Sequence, residues 1–301
     1  EVPINWNGEE TMGIQNGGMF ENVTQQQFYL AFKALSEEVE SDIAAALKVS
    51  TLGSHIYGTA GTTPFGTAGN LSDIAELARI LTDAGCPEVD RHFVINTATM
   101  AKLGGIQSVL FKANEAGTDS LLRKGVIGEL ENFLIHKSGQ LLTHTKGTGA
   151  SYVTNLTASL AKGAKSIAID TGSGTVLAGD IITFADDLNR YLVNTGVTEA
   201  GSIAINEGLM QTLADAKALT IGANYRPNFA FERSAIVLAA RAPASPKGGD
   251  AATDVTYVTD TVSGLTFEIR VYKGERMNQI KVGLVWGVKV LRPEHTAMLI
   301  G

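Results

Sequence analysis

The sequence predicts a mixed α+β protein with a small all-β domain inserted into it. A strong helical pattern comes first, short alternating strands with frequent turns fill the middle, and mixed patterns return after Asn224. Of the 301 residues, 44% are apolar and 18% charged, which is ample for a packed core. We expect a core formed by 21–151 and 225–301, an insertion at 152–224, and a separate segment at 1–20.

The first twenty residues are predicted to be extended. The segment is mostly polar, and Gly13, Gly17 and Gly18 would interrupt a helix. Such a segment has little core of its own. We therefore expect it to pack against another element or another subunit.

A long helix is predicted from Thr24 to Val49. Thr24 and Gln27 fit a capping box, and apolar residues then recur every three or four positions. At about 1.5 Å per residue this helix would be roughly 39 Å long. The apolar stripe consists of Phe28, Phe32, Leu35, Val39, Ile43 and Leu47.

The next elements follow the pattern of one α/β unit. A second amphipathic helix begins at Asn70 or Ser72. His92–Asn96 is predicted to be a strand, and Thr97 to cap a short helix that ends at Gly104.

Short strands and turns characterise the insertion. Turn residues separate the strands at intervals of about ten residues, which is typical of a small β-barrel or sandwich. The Glu207–Leu219 stretch is polar and compatible with a helix, so its structure stays open. The predicted strands are Ser166–Ile169, Asp180–Phe184, Arg190–Val193 and Ser202–Ile205.

After the insertion, Glu232–Arg241 is apolar and compatible with a helix. A loop rich in proline and glycine follows it. Strands are then predicted at Val255–Thr259, Leu265–Tyr272 and Gln279–Val290.

Composition excludes several classes of protein. The net charge is −7 and basic residues do not cluster beyond pairs such as Arg123–Lys124, which argues against a nucleic-acid reader. Cys86 is the only cysteine, so an intrachain disulfide and a cysteine metal cage are both excluded. Neither a signal peptide nor an apolar run of about 18 residues is present, so we expect no membrane span.

One motif suggests catalysis. Asp170 begins an Asp-Thr-Gly-Ser sequence after an apolar run, as in aspartic proteases, where two carboxylates share a proton. That chemistry needs a second such loop, and the chain has only one Asp-Thr-Gly. A glycine- and serine-rich turn between two strands explains the motif better.

Other candidate sites are weaker. The Gly147–Gly149 and Gly58–Gly69 loops lack the spaced Gly-Lys-Ser/Thr pattern of a phosphate-binding loop. His136 and His144 lie on strand-like sequence without a carboxylate at ligand spacing. We therefore predict no catalytic, cofactor-binding or metal-binding residues. The five histidines are His55, His92, His136, His144 and His295.

The C-terminal residues follow an ordered pattern: a strand, a charged turn, a strand, an apolar-Gly-apolar-Lys sequence, then Arg-Pro-Glu. This order resembles the C-terminus of tailed-bacteriophage coat proteins. The resemblance is to the podophage coat family, which has the Hong-Kong-97 capsid fold with an inserted β-barrel. The stretches that carry it are Gly264–Tyr272, Met277–Val285, Trp286–Glu294 and Leu299–Gly301.

Three further stretches are similar to the same family. Asn228–Arg241 resembles its Asn-x-Ala-Phe sequence followed by an alanine-rich helix, and Leu122–Ser138 resembles its Gly-x-x-Gly, apolar, Phe, apolar, Ser passage. Ala178–Phe184 and Tyr191–Val193 resemble the opening strands of the inserted barrel.

The resemblance implies an assignment for each part of the chain. Thr24–Val49 would be the spine helix of the peripheral domain. Asn70–Lys137 and the chain from Asn228 would form the axial domain and the closing sheet of the peripheral domain. Residues 1–20 would be a remnant of the extended E-loop, with Val2–Ile14 as its returning strand.

The resemblance also implies a function. A major capsid protein would self-assemble as hexamers and pentamers into the icosahedral shell of a tailed phage and enclose double-stranded DNA without sequence-specific contacts. Its implied partners are other copies, scaffolding protein, portal and decoration proteins. It would assemble in the cytoplasm of the bacterial host and reside in the virion capsid. An encapsulin-like compartment shell and a hydrolase using Asp170 are the alternatives.

Overall fold

The computed structural model describes residues 1–106, 128–261 and 263–301. The Arg123–Lys124 pair and the start of the Leu122–Ser138 stretch lie outside the described residues. Each described helix is too short or too polar to cross a membrane. The helices are α1 (Gly8–Asn16), α2 (Phe20–Ser50), α3 (Ser72–Asp83) and α4 (Thr97–Ile106).

The described strands form four sheets. In chain order they are β1 (Val2–Asn7), β2 (Ile56–Gly58), β3 (Arg91–Asn96), β4 (Glu129–Leu130), β5 (Phe133–Ser138), β6 (Val153–Thr154), β7 (Ser166–Asp170), β8 (Ile181–Phe184), β9 (Tyr191–Thr195), β10 (Gly201–Ile205), β11 (Leu219–Ile221), β12 (Pro227–Glu232), β13 (Ile236–Arg241), β14 (Asp254–Thr259), β15 (Thr266–Gly274), β16 (Met277–Gly283), β17 (Val285–Val290) and β18 (Thr296–Ile300).

The chain divides into two compact units, residues 1–43 with 237–289, and residues 44–236 with 290–301. In the first unit, an antiparallel sheet has the order β1-β16-β15-β14. Its core joins the apolar stripe of α2 to the inner face of this sheet. Buried core residues of this unit are Ile4, Trp6, Ala31, Leu35, Val39, Phe267, Val282 and Leu284.

The prediction that residues 1–20 contain no helix is wrong. Asn7 accepts a hydrogen bond from the Glu10 amide at 2.8 Å, and the Glu10 carboxylate accepts one from the Asn7 amide at 3.0 Å. This capping box stabilises the start of α1 enough to include Gly13. The preceding strand packs within its own unit, because Ile4 and Trp6 are buried there.

The long helix α2 begins earlier than predicted, at Phe20. The hydroxyl of Thr24 donates to the Phe20 carbonyl at 2.8 Å, as a threonine inside a helix does, so the predicted capping box is wrong. The predicted stripe is confirmed: Leu35, Val39 and Leu47 are buried.

The second unit contains a six-stranded sheet with the order β2-β18-β12-β3-β5-β4. The predicted strand β3 is confirmed, whereas β2 was not predicted. Helix α3 packs on the sheet through Ile74, Leu77 and Leu81, each fully buried. Asn96 accepts a hydrogen bond from the Thr99 amide at 2.9 Å, so Asn96, and not Thr97, caps α4.

Residues 152–224, predicted to be an insertion, contain a nearly closed six-stranded barrel with the order β11-β8-β9-β10-β7-β6. An isolated bridge between Val153 and Ala218 links its two ends, and the Leu219 amide donates to the Tyr152 carbonyl at 2.8 Å. The four predicted strands are confirmed to within two residues. The Glu207–Leu219 stretch forms no helix.

The predicted helix at Glu232–Arg241 is wrong. This segment is the end of β12, a short 3-10 turn at Arg233–Ala235, and strand β13. β13 is hydrogen-bonded to β17 in a two-stranded sheet. The predicted single strand Gln279–Val290 is in fact β16 and β17. A short apolar run without periodicity does not distinguish a strand from a helix.

A substitution in α2 tests the core of the first unit. Leu35 is 1% exposed, so Leu35→Ala should lower the free energy of unfolding by about 2–5 kcal/mol through lost packing and a cavity. Leu30→Ala is the control, because Leu30 is 59% exposed and its loss should change stability by less than about 0.5 kcal/mol. Urea unfolding of the dilute protein measures both values, and equal losses would contradict this core.

Candidate functional site

The Asp170 motif forms a tight turn at the end of β7. Thr171 has a φ of +66°, and the Gly172 amide donates to the Asp170 carbonyl at 2.7 Å. A Cβ at Gly172 would lie 2.5 Å from the ring of Tyr152, so glycine is required where the turn passes the barrel core. These contacts give the motif a structural role as a turn.

The Gly147–Gly149 loop packs tightly against the barrel. The Gly147 amide donates to both carboxylate oxygens of Asp180 at 3.1 Å. A Cβ at Gly147 would lie only 2.2 Å from the Thr175 carbonyl oxygen. The loop therefore directs an amide at a carboxylate of its own chain and leaves no space for a phosphate there.

The second glycine-rich loop borders a cleft of about 630 Å³ beside the start of α3. Asp73, in the first turn of α3, accepts a hydrogen bond from the Phe65 amide at 2.7 Å. A carboxylate at the start of a helix occupies the position that favours a bound anion. This arrangement disfavours phosphate binding in the cleft.

Buried polar contacts join the connectors of the barrel. The His144 amide donates to the Tyr225 carbonyl at 2.8 Å, so the chain entering the insertion pairs with the chain leaving it. Nε2 of His144 lies 2.8 Å from Oδ1 of Asp180, and the Tyr225 hydroxyl donates to the Gly179 carbonyl at 2.7 Å. His144, Asp180 and Tyr225 are referred to below as the connector cluster.

The connector cluster is satisfied internally. Asp180 is 1% exposed and also accepts a hydrogen bond from the Leu177 amide at 2.8 Å. Burial, and then the charge of Asp180, raise the pKa of Tyr225, while burial lowers the pKa of Lys48 despite the opposing effect of Asp180. With both carboxylate oxygens engaged, the cluster serves to hold the insertion in place.

A second histidine contact lies on the six-stranded sheet. Nδ1 of His92 is 3.1 Å from Nε2 of His136, and Nε2 of His92 is 3.0 Å from Oδ1 of Asp90. The Asp90 carboxylate can only accept, so Nε2 of His92 donates to it. Burial, and then His92, lower the pKa of His136.

Metal binding finds little support in these contacts. Within the part of the chain that the structure describes, there is no group of three or more His, Cys, Asp or Glu side chains suited to a metal ion. His55 hydrogen-bonds to the Thr296 carbonyl at 2.8 Å, and His295 lies 3.7 Å from the Glu232 carboxylate. Sequence spacing offered no carboxylate partner for His144, because its partner, Asp180, is 36 residues away.

Arg270 fixes the loop between β13 and β14 on the sheet. It donates to Glu268 and Ser245, each at 2.6 Å, and also to Asp250. The Tyr272 hydroxyl donates to Asp250 at 2.7 Å. That bond and the others to Asp250 lower the pKa of its carboxyl, and the bonds to Arg270, first from Glu268, raise the pKa of the guanidinium. These contacts leave β13 and β14 connected by an anchored loop.

Strands β13 and β14 form the candidate assembly surface. Five of the six residues in each strand are exposed. The exposed side chains include large apolar ones, with exposed fractions of 44% at Val237 and 57% at Tyr257. Apolar strands that remain uncovered in a folded chain are typical of contact sites for another chain. The sequence interpretation of 232–241 as compatible with a helix did not predict this exposed strand.

Comparisons with known proteins add structural similarities. No protein-family model matches the sequence, and no curated protein does so either. A structure from Mycobacterium phage Che8 is similar over 99% of this chain and 68% of its own, with 18% identity and a TM-score of 0.46. A capsid structure of cyanophage P-SCSP1u is similar over 99% and 70%, with 15% identity and a TM-score of 0.41. A mature capsid of bacteriophage PhiM1 is similar over 99% and 69%, with 10% identity and a TM-score of 0.42.

A pair of aspartate substitutions tests the connector cluster. Asp180→Ala leaves buried donors unpaired and should lower the free energy of unfolding by about 3–5 kcal/mol. Asp170→Ala removes a carboxylate from the barrel's turn and should cost less than about 1 kcal/mol. Chemical denaturation measures both, and a small effect at Asp180 would contradict the role given to the cluster.

Acidification tests the histidine pair. With its folded-state pKa lowered, neutral His136 contributes stability that is complete above about pH 6.5 and is lost as the pH falls through the folded-state pKa. His136→Gln should therefore show a smaller fall in melting temperature than the wild type between about pH 7 and pH 5. Leu134→Gln, on the same strand, should keep the wild-type slope. Equal slopes for His136→Gln and the wild type would contradict the assignment.

Proposed function

We propose that this chain is the major capsid protein of a tailed bacteriophage and that it assembles with copies of itself into a closed shell. The ordered stretches that resemble phage coat proteins support this function. The single observation that carries it is the exposure of β13 and β14: five of the six residues in each strand are exposed, and the apolar Val237 and Tyr257 are among them. A subunit whose work is self-association needs such surfaces, whereas an enzyme needs a shaped pocket.

The finer assignment follows the sequence resemblance. The fold would be of the Hong-Kong-97 type in its podophage form, with α2 as the spine helix and the barrel as the inserted domain. Residues 152–224 would form that domain, the flanking parts the peripheral and axial domains, and 1–20 would belong to the E-loop. Helix α1 occupies about half of that segment, so only β1 would correspond to the returning strand of the loop.

Hexamers and pentamers of the chain would form an icosahedral shell around double-stranded DNA. The net charge of −7 suits a container that holds its genome without binding it tightly. Scaffolding protein, portal and decoration proteins would be its partners, and assembly would take place in the cytoplasm of the bacterial host. Under this proposal the chain has no catalytic residues, cofactor or metal.

Two other functions lead to different outcomes. An encapsulin-like shell would form particles that carry protein cargo in place of a genome. A hydrolase would depend on Asp170, but that residue accepts a hydrogen bond from the Thr171 hydroxyl at 2.9 Å within a tight turn. The turn accounts for Asp170 without a catalytic role.

Co-expression with the neighbouring scaffold gene, followed by electron microscopy in negative stain, tests the proposal. We expect shells of uniform diameter, formed equally well by the wild type and by Asp170→Asn. Particles isolated from infected cells should contain DNA. A small, monodisperse oligomer whose hydrolytic activity disappears in Asp170→Asn would overturn the proposal, and particles filled with protein cargo would favour the compartment shell.

A further inference from the structure

We propose that β13 of one copy pairs antiparallel with the free edge of β14 in the next copy, in the register that places Arg241 opposite Asp254. The proposal rests on the proposed function and names the surfaces through which the copies join. It defines a contact between two different surfaces of the same chain. We refer to this contact as the β13–β14 seam.

Both strands have an edge available for pairing. β14 is the last strand of its sheet, and β15 is its only strand neighbour in the described chain. β13 has only β17 beside it among the described residues. In an antiparallel pair, half of the backbone amides and carbonyls of each strand point away from its neighbour. These outward groups match those of another strand.

The β14 edge lacks the features that protect natural edges. Residues 255–259 read Val-Thr-Tyr-Val-Thr, with no charge, proline or glycine, and all three residue types favour strands. The opposite edge of the same sheet is β1, which carries Pro3 and therefore lacks one backbone donor. The sheet is thus open to extension at β14 and partly blocked at β1.

The two sequences match when paired antiparallel. Each strand has six residues, so full overlap places Leu238 opposite Tyr257 and Ala240 opposite Val255. One face of the pair would bury these apolar side chains together. On the other face, Arg241, the last residue of β13, would lie opposite Asp254, the first residue of β14. Opposite charges would therefore meet at one end of the paired strands.

Both charges are available for this contact. Both residues are exposed. Arg241 donates only to the adjacent Ala242 carbonyl, at 3.1 Å, and the Asp254 carboxylate accepts from the adjacent Val255 amide, at 2.9 Å. Neither takes part in an ion pair within the described chain. A one-residue slip would separate them and also turn Leu238 away from Tyr257.

The occupant of the β14 edge is therefore a second copy of this chain. β13 and β14 of the same chain are not neighbours in any sheet. Each copy offers both strands, so the contact is heterologous. Repeated heterologous contacts close into rings when the rotation between copies allows it, which gives hexamers or pentamers from one kind of interface.

Cysteine cross-linking in assembled protein tests the register. The variant with Ala239→Cys and Thr256→Cys places directly opposed cysteines in the seam, and oxidation should give a ladder of covalent multimers on a non-reducing denaturing gel. The control with Ala239→Cys and Val258→Cys shifts one cysteine by two residues on the same face, beyond disulfide reach, and should give no ladder. The native Cys86 is buried, and the wild type provides the background.

Charge exchange tests the ion pair independently. Arg241→Asp or Asp254→Arg alone places like charges opposite each other and should raise the concentration needed for assembly at least about tenfold. Combining the two substitutions restores opposite charges and should bring that concentration back to near the wild-type value. Lys247→Asp, in the loop between the strands, makes the same charge change as Arg241→Asp and should leave assembly unchanged.

The outcomes separate the seam from the function. The seam would be overturned, and the capsid function would stand, if the wild type forms shells but two results follow. The opposed-cysteine variant gives no ladder, and the charge exchanges leave assembly unchanged. A cross-link from β14 to a scaffolding or decoration protein in place of another copy would also overturn it. A wild-type protein that never assembles would overturn both proposals.

Discussion

A strand edge needs a hydrogen-bond partner, and this need governs how the chain is organised. Inside the insertion the need is met internally, because the bridge between Val153 and Ala218 links the two ends of the barrel sheet. In the first unit it is met only in part, since one edge of the sheet is β14, whose residues are uncharged after Asp254. Water can serve the exposed backbone of a solitary molecule. In the proposed seam, β13 of another copy would be the better partner because the pairing would also bury Val255 and Tyr257.

Buried and partly buried polar contacts hold loops and connectors in fixed positions within the chain. The connector cluster joins the two segments that enter and leave the barrel, and its aspartate has a donor for every oxygen that burial removes from water. Arg270 similarly holds Ser245 and Asp250, so the loop before β14 is held on the sheet by contacts within the chain. Preordering of this kind reduces the entropy lost on association. Charged residues such as Asp180 and Arg270 therefore fix the position of loops and connectors within the chain.

Much of the fold was accessible from sequence because it depends on local periodicity. The stripe from Phe28 to Leu47 predicted α2, and the alternation within 166–205 predicted four barrel strands. The failures have physical causes. The sequence Ile-Val-Leu-Ala-Ala-Arg of β13 has neither the helical nor the strand period, so its neighbour β17 decides its structure. Gly13 is tolerated in α1 because the Asn7–Glu10 box stabilises that helix, a cooperative effect that composition does not reveal.

The candidate surfaces were less predictable than the elements. Whether a strand is covered depends on contacts between residues far apart in sequence, as with His144 and Asp180, so the exposure of β13 and β14 emerged only from the three-dimensional arrangement. The Asp170 motif could be judged from sequence alone, because aspartic-protease chemistry requires two such loops and the chain has one Asp-Thr-Gly. Surfaces for association have no comparable signature in a single sequence.

The near-closure of the barrel has a consequence for the proposed shell, in which many copies would lie close together. A sheet that returns to its own first strand offers neighbouring insertions no template for growth. In the proposed shell, the barrels of neighbouring copies could thus lie side by side without joining into one continuous sheet. The closed sheet would suppress pairing between barrel strands of neighbouring copies, and contacts between copies would remain confined to surfaces such as the β13–β14 seam.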